Sequence, residues 1–179
     1  MDSRLVWIDM EMTGLNPDNA VIVEIATLIT DGDLNIVATG PEIAIHHPRS
    51  VVENMEPWSQ EHHTASGLIQ RIMASTTNTT RAEQITLDFV KEHCGEKECP
   101  LAGNSIWQDR RFMVKYMPLL ESYLHYRMVD VSTIKELYMR WYPGKEEFPK
   151  KHEHTALSDI MESVNELRYY RNTVFKPCP

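Results

Sequence analysis

The chain has 179 residues, 42% hydrophobic and 25% charged, proportions that suit one globular domain and exclude disordered, collagen-like and disulfide-scaffold classes. Lys and Arg number 18 against 26 Asp and Glu, a formal charge of −8, which argues against gripping long duplex nucleic acid through many phosphates; a nucleic-acid partner is expected to be short or metal-bridged. No apolar run approaches the roughly 18 residues of a membrane span, the first residues do not read as a signal or transit peptide, and Cys94, Cys99 and Cys178 match no zinc spacing, so free thiols in a reducing cytosol are expected.

Leu5-Val6-Trp7-Ile8 opens as a buried strand; residues 21–30 and 36–45 are β-branched and apolar enough for two more. Asp31-Gly32-Asp33 supplies the turn between the last two. Three strands in an antiparallel meander therefore begin the chain. Thr80-Arg-Ala-Glu83 has capping-box form, and Ile85, Phe89 and Val90 follow at helical spacing, which predicts a helix of about three turns. A short apolar strand follows at 100–104, an amphipathic stretch at 107–116 and another strand at 126–131. Thr133-Ile-Lys-Glu136 repeats the capping form and starts a helix carrying Leu137, Tyr138 and Trp141. Residues 143–151 form a polar loop, after which Ala156, Leu157, Ile160, Met161, Val164 and Leu167 make one apolar helical stripe behind Thr155, a plausible N-cap. Strands followed by alternating helices and strands predict an α/β fold, a mixed sheet flanked by helices.

Asp9 and Glu11 bracket Met10 at the end of the first strand. Because side chains alternate along a strand, both carboxylates leave the same face. Adjacent anions repel, and a hard divalent cation between them removes the conflict; the ordinary alternative is a solvated strand end. His154 and Asp159 are five residues apart, a separation that diverges on a continuous helix. With Thr155 as N-cap, His154 lies in the entering loop and Asp159 in the second turn. Asp109 opens the helix at 107, where an acid is also favoured by the helix dipole alone.

Taken in order, Asp-x-Glu on a strand, Asp near one helix start and His-x-x-x-x-Asp at another resemble the three motifs of the DEDD exonuclease superfamily, in its histidine subtype. Trp7-Ile-Asp-Met-Glu-Met-Thr-Gly-Leu15, Pro100-Leu-Ala-Gly-Asn-Ser105, His125-Tyr-Arg127, Asp130-Val-Ser-Thr133 and Ala156-Leu157 before Asp159 resemble the oligoribonucleases within it. The likeness covers nearly the whole chain. It implies a ribonuclease H-like fold, a single exonuclease domain over 1–179, a cytoplasmic homodimer, and 3′–5′ hydrolysis of very short single-stranded RNA, chiefly dinucleotides. It also implies two divalent cations, Mg2+ or Mn2+, held by Asp9, Glu11, Asp109 and Asp159, with His154 as general base.

For the substrate, the resemblance implies Leu15 as a wedge between the two bases, Trp58 and His63 at the 3′ nucleotide, and Ser105, Ser132, Thr133 and Arg127, with Tyr126 beside it, at the 5′ phosphate. Arg127 would reach the site from the second subunit. Each has a plainer rival: Leu15 as core, Trp58 as a helix anchor after Pro57, His63 or His62 as solvated, Tyr126-Arg127 as a strand edge, Ser132-Thr133 as a cap. Two departures from the commonest pattern stand out. Ser158 occupies a position often acidic in relatives, and His152 is a rival base two residues too early for the family spacing. A longer-substrate DNA exonuclease of the same superfamily and a noncatalytic RNA-binding module are the competing readings.

Overall fold

The computed structural model describes residues 3–144, 148–149 and 155–176. Strands β1 (Leu5–Met12), β2 (Ile22–Thr30) and β3 (Ile36–Ala44) form the antiparallel meander. Four helices follow, α1 (Arg49–Glu53), α2 (Pro57–Ala65), α3 (Leu68–Ala74) and α4 (Thr79–His93). The chain then alternates through β4 (Pro100–Gly103), α5 (Trp107–Tyr116), α6 (Pro118–Tyr123), β5 (His125–Asp130), α7 (Val131–Trp141) and α8 (Ala156–Val174). The sheet order is β3-β2-β1-β4-β5, with β4 parallel to β1 and to β5. This is the mixed sheet that the pattern of elements predicts, in the ribonuclease H-like form that the resemblance implies.

The period of two decides which helix each strand residue meets. Val6, Ile8 and Met10 belong to a core shared with α4, α5 and α6, whereas Trp7 belongs to the opposite core with Tyr138 of α7 and Ile160 and Val164 of α8. Asp9 and Glu11 continue the row of Trp7 and so emerge on the α8 side of the sheet. β2 is buried along its entire length because it lies between β1 and β3 with helices over both faces. Trp7 fits this crowded centre because its indole N–H donates to Thr30 Oγ1 at 2.9 Å.

Several boundaries shift from those expected, each for a local reason. β1 runs to Met12, one residue past the expected end at Glu11, and breaks register with β2 only after Glu11. α4 is capped by Asn78, whose side chain accepts from the Arg81 N–H, so Thr80 is inside the helix. Glu83 closes no capping box; its buried carboxylate accepts the amide N–H groups of Leu119 and Leu120 at the start of α6. α7 starts earlier than predicted, at Val131, because Asp130 accepts from the Ser132 N–H. Thr155 is the N-cap of α8 as expected, and Ser158 completes a reciprocal capping box with it.

Helices α1 to α3 and α6 have no counterpart in the sequence prediction; they are short, and each rests on only one or two buried side chains. Cys94 and Cys99 are buried thiols, while Cys178, His152 and His154 lie outside the described residues. Among the described residues, no helix is long and apolar enough to cross a membrane.

Candidate active site

The ends of β1 and β4 and the starts of α5 and α8 meet around a cleft of about 370 Å³. Asp9, Glu11, Asp109 and Asp159, dispersed over 150 positions of sequence, all line it. One carboxylate oxygen from each of Asp9, Glu11 and Asp159 lies within 4.8 Å of the others. Asp109 stands beside this triad and is oriented by the backbone, its Oδ1 accepting the Met10 N–H at 3.0 Å. Asp159 stands in the first turn of α8, not the second as expected, because the Thr155–Ser158 box fixes the start of that helix at Ala156.

Acids sharing one cleft disfavour each other's charged forms. Burial pushes the Asp9 carboxyl well above the usual carboxylate range, with further repulsion from Asp109, Glu11 and Asp159. Burial and then Asp159 raise Glu11 to about 8, against a small lowering by Arg71. Asp109 is raised to about 7, chiefly by burial and in spite of its backbone hydrogen bonds. Such a cluster is stable in fully ionised form only with positive charge among the oxygens. The donors are all hard carboxylate oxygens, which fits a divalent cation and disfavours thiolate-seeking metals.

Further acidity comes from a residue that the motifs do not mark. Glu24 on β2 is the direct cross-strand partner of Glu11 and is fully buried. Arg71 of α3 forms a bidentate pair with it, and it also accepts from the Ala156 N–H at the start of α8. An acid in the middle of Ile-Val-Glu-Ile-Ala-Thr is the signal that could have exposed it, since a lone charge in an apolar strand requires a partner.

Leu15 and Trp58 line the cleft and remain 66% and 63% exposed, so neither is the core residue or helix anchor that a plain reading of each would give. The loop bearing Leu15 is nevertheless held firmly. Glu56 accepts the Leu15 N–H, Gln108 donates to the Leu15 carbonyl, and the Tyr116 hydroxyl reaches the carbonyls of Pro17 and Ala20 at 2.9 and 2.7 Å. Trp58 stacks on His62 with ring centres 4.0 Å apart. His63 faces inward and is only 2% exposed. Its Nε2–H donates to the Met12 carbonyl at 2.9 Å, leaving Nδ1 3.8 Å from Glu11 Oε2. Burial lowers its proton affinity, which favours the neutral ring.

Ser105 joins the acid-lined cleft to a neighbouring depression lined by Ser132 and Thr133. Tyr126 and Arg127 are not brought into the cleft of their own chain. They lie exposed on β5, the sheet edge, with the Arg127 guanidinium over the Tyr126 ring at 5.3 Å. Sequence reasoning missed Asn104, Gln108 and Ser163, which also line the cleft; they carry no charge, and only folding reveals what their amides and hydroxyl face.

An acid-lined cleft at the end of a ribonuclease H-like sheet suits phosphodiester hydrolysis, and a sequence model of the exonuclease family matches residues 6–167, which places the chain among the exonucleases. Within that class the chain belongs to the oligoribonuclease family, whose members are hydrolases. It is 56% identical over 174 residues to the oligoribonuclease of Marinobacter nauticus and 52% identical over 176 residues to that of Vibrio cholerae, covering 97% of each relative and 97% and 98% of this chain. Exonuclease I from Methylocaldum szegediense shares the fold with a TM-score of 0.68 at 16% identity, and E. coli exonuclease I in complex with a 5cy-dT13 oligonucleotide with 0.72 at 13%. Both alignments cover 97% of this chain but only 41% and 42% of those longer structures.

Proposed function

We propose that the chain, a single exonuclease domain, hydrolyses very short single-stranded RNA from its 3′ end, chiefly dinucleotides, releasing nucleoside 5′-monophosphates. The observation that carries this reading is the convergence of the Asp9, Glu11 and Asp159 oxygens within 4.8 Å, beside Asp109. Asp9, Glu11, Asp109 and Asp159 would hold two divalent cations, Mg2+ or Mn2+, with Asp109 the more indirect ligand. The position of Asp109 outside the tight triad agrees with that indirect role. When bound, the cations supply positive charge to the phosphate and the departing oxygen and acidify the attacking water.

His154 would take the proton from the attacking water as its oxygen bonds to phosphorus in line; the bond from phosphorus to the 3′ oxygen breaks, and the departing 3′ oxygen takes up a proton from solvent. Leu15 separates the two bases and Trp58 stacks on the 3′ base, a contact of roughly 1–3 kcal/mol that tolerates any sequence. His63 backs Glu11 at the same end. Ser105, Ser132 and Thr133 close the 5′ end around the terminal phosphate, with Tyr126 and Arg127 arriving from the second subunit of a cytoplasmic homodimer. The cleft of about 370 Å³ and the net charge of −8 suit a ligand with few phosphates.

Turnover on RNA of about two to ten nucleotides with excess Mn2+ tests the reading, because a closed 5′ end admits short chains best. Dinucleotides should be cleaved fastest, and a chelator should abolish release of mononucleotides. Equal rates at every length would reject the closed end, and a preference for long single-stranded DNA would replace this substrate class with another.

A further inference from the structure

Both backbone polar groups of Leu15 are taken by side chains, and the two come from different elements. Glu56, which precedes α2, accepts the Leu15 N–H at 3.3 Å, and Gln108 of α5 donates to the Leu15 carbonyl. Glu56 is tied to the same loop a second time, because its own N–H donates to the Thr13 carbonyl at 2.9 Å. Gly14 makes room for this: any side chain added there would collide with the Glu56 carboxylate lying across the turn.

The direction of the Gln108 amide is fixed by its other neighbour. Arg111 Nη1 donates to Gln108 Oε1 at 2.8 Å. A guanidinium has no acceptor and a carbonyl no donor, so only one orientation of the amide satisfies both, with Nε2 toward Leu15. Arg111 itself stands over the Trp107 ring at 5.7 Å. The rest of the loop is anchored separately. Thr13 and Val21 exchange hydrogen bonds at its base, and Lys115 and Tyr116 both reach the Pro17 carbonyl. Removing the Glu56 or Gln108 contact therefore frees the tip at Leu15 without releasing the loop.

We infer that Glu56 and Gln108 are positioning residues for the Leu15 wedge: they fix its backbone before substrate arrives, and so set the preference for a ligand that offers two bases. An exposed leucine on an unheld tip would lose backbone freedom each time it entered between bases, and that loss would weaken binding. Holding the tip in advance transfers the cost to folding. The inference deepens the functional reading above and rests on it, since there Leu15 separates the bases of a dinucleotide.

The test compares KM of the full-length enzyme, at saturating Mn2+, for a dinucleotide and for the same dinucleotide lacking its 5′ base. Wild type should show the lower KM for the intact form, and Leu15→Ala should largely remove the difference. Gln108→Met and Glu56→Met should each raise KM for the intact form about threefold to tenfold, the net scale of one hydrogen bond. KM for the form lacking the base should move less than about twofold. Glu56→Gln should keep the wild-type KM, because its amide oxygen still accepts from Leu15. In a Leu15→Ala background, Gln108→Met should add no further loss, since it acts through the leucine. Amide hydrogen exchange at Leu15 should quicken in Gln108→Met although the acceptor on Glu56 is untouched, which reads release of the tip directly.

Glu56 is exposed and Gln108 half-buried, so both variants should fold, and either one is sufficient for the test. Unchanged KM in the methionine variants, equal losses on both substrates, or additive losses with Leu15→Ala would overturn the clamp alone. Undiminished discrimination by Leu15→Ala would instead remove the wedge, and the clamp with it.

Discussion

The acids of the cleft keep raised proton affinities because burial costs their charged forms more than any nearby cation returns. A carboxyl whose folded pKa is raised binds protons more tightly folded than unfolded, so stability falls as pH rises between the two values. For Glu11 that window runs from the ordinary 4.5 to about 8. Metal-free protein should therefore lose thermal stability between about pH 5 and about pH 9, and Mn2+ should restore more of it at the alkaline end. Asp9→Asn should flatten the metal-free profile, weaken Mn2+ binding in calorimetry and abolish turnover. A pH-independent melting temperature would show that the acids are solvated. His154→Ala should leave Mn2+ binding intact and lower turnover by about two to four decades, the usual scale for a lost acid–base group; unchanged turnover would remove His154 from the chemistry.

At the scale of elements, α8 is the piece whose docking completes the acid cluster. Its first amides are received by sheet carboxylates, the Ala156 N–H by Glu24 and the Leu157 N–H by Glu42 Oε1 at 3.5 Å, while Thr155 accepts from Ser158. Glu24 is kept in the core by Arg71, whose side chain is 38% exposed. Arg71→Met should cost about 1–3 kcal/mol in urea unfolding, below the figure for a fully buried pair because water reaches the guanidinium. Adding Glu24→Gln should recover most of that loss, since the amide still accepts from Ala156 and no longer buries a charge. No recovery would mean that Arg71 acts through packing alone.

At the scale of the whole molecule, the β5 edge and the neighbouring helices leave a band of large apolar side chains in water. Tyr126 is 71% exposed and Trp141 67%, with Trp107, Leu119 and Met128 also exposed. An open sheet edge bearing such residues favours a partner, and a second copy of the chain would carry Arg127 to the other cleft. Mixing Asp9→Asn protein with Arg127→Ala protein and allowing subunits to exchange should then restore activity that neither variant has. One class of mixed cleft would be intact, giving about a quarter of wild-type turnover per cleft if subunits assort at random. No recovery after verified exchange would place Arg127 in its own chain's cleft or outside the site.

The sequence by itself determined the meander, the α5 and α8 stripes, the Thr155 cap, and the identity of the four acids, because alternation, helical spacing and capping act over a few neighbouring residues. It also indicated that Asp9 and Glu11 share a face, a consequence of strand geometry alone. Only the tertiary structure decided that Asp109 and Asp159 reach that face, that His63 turns inward, and that Tyr126 and Arg127 remain on the sheet edge. Glu83 shows the boundary between the two: its local pattern announced a helix cap, yet its carboxylate serves the distant amides of α6. Short-range rules say what a residue can bond to. Which of several available partners it takes is fixed by the packing of the whole sheet and its helices, where burial makes an unpaired polar group costly.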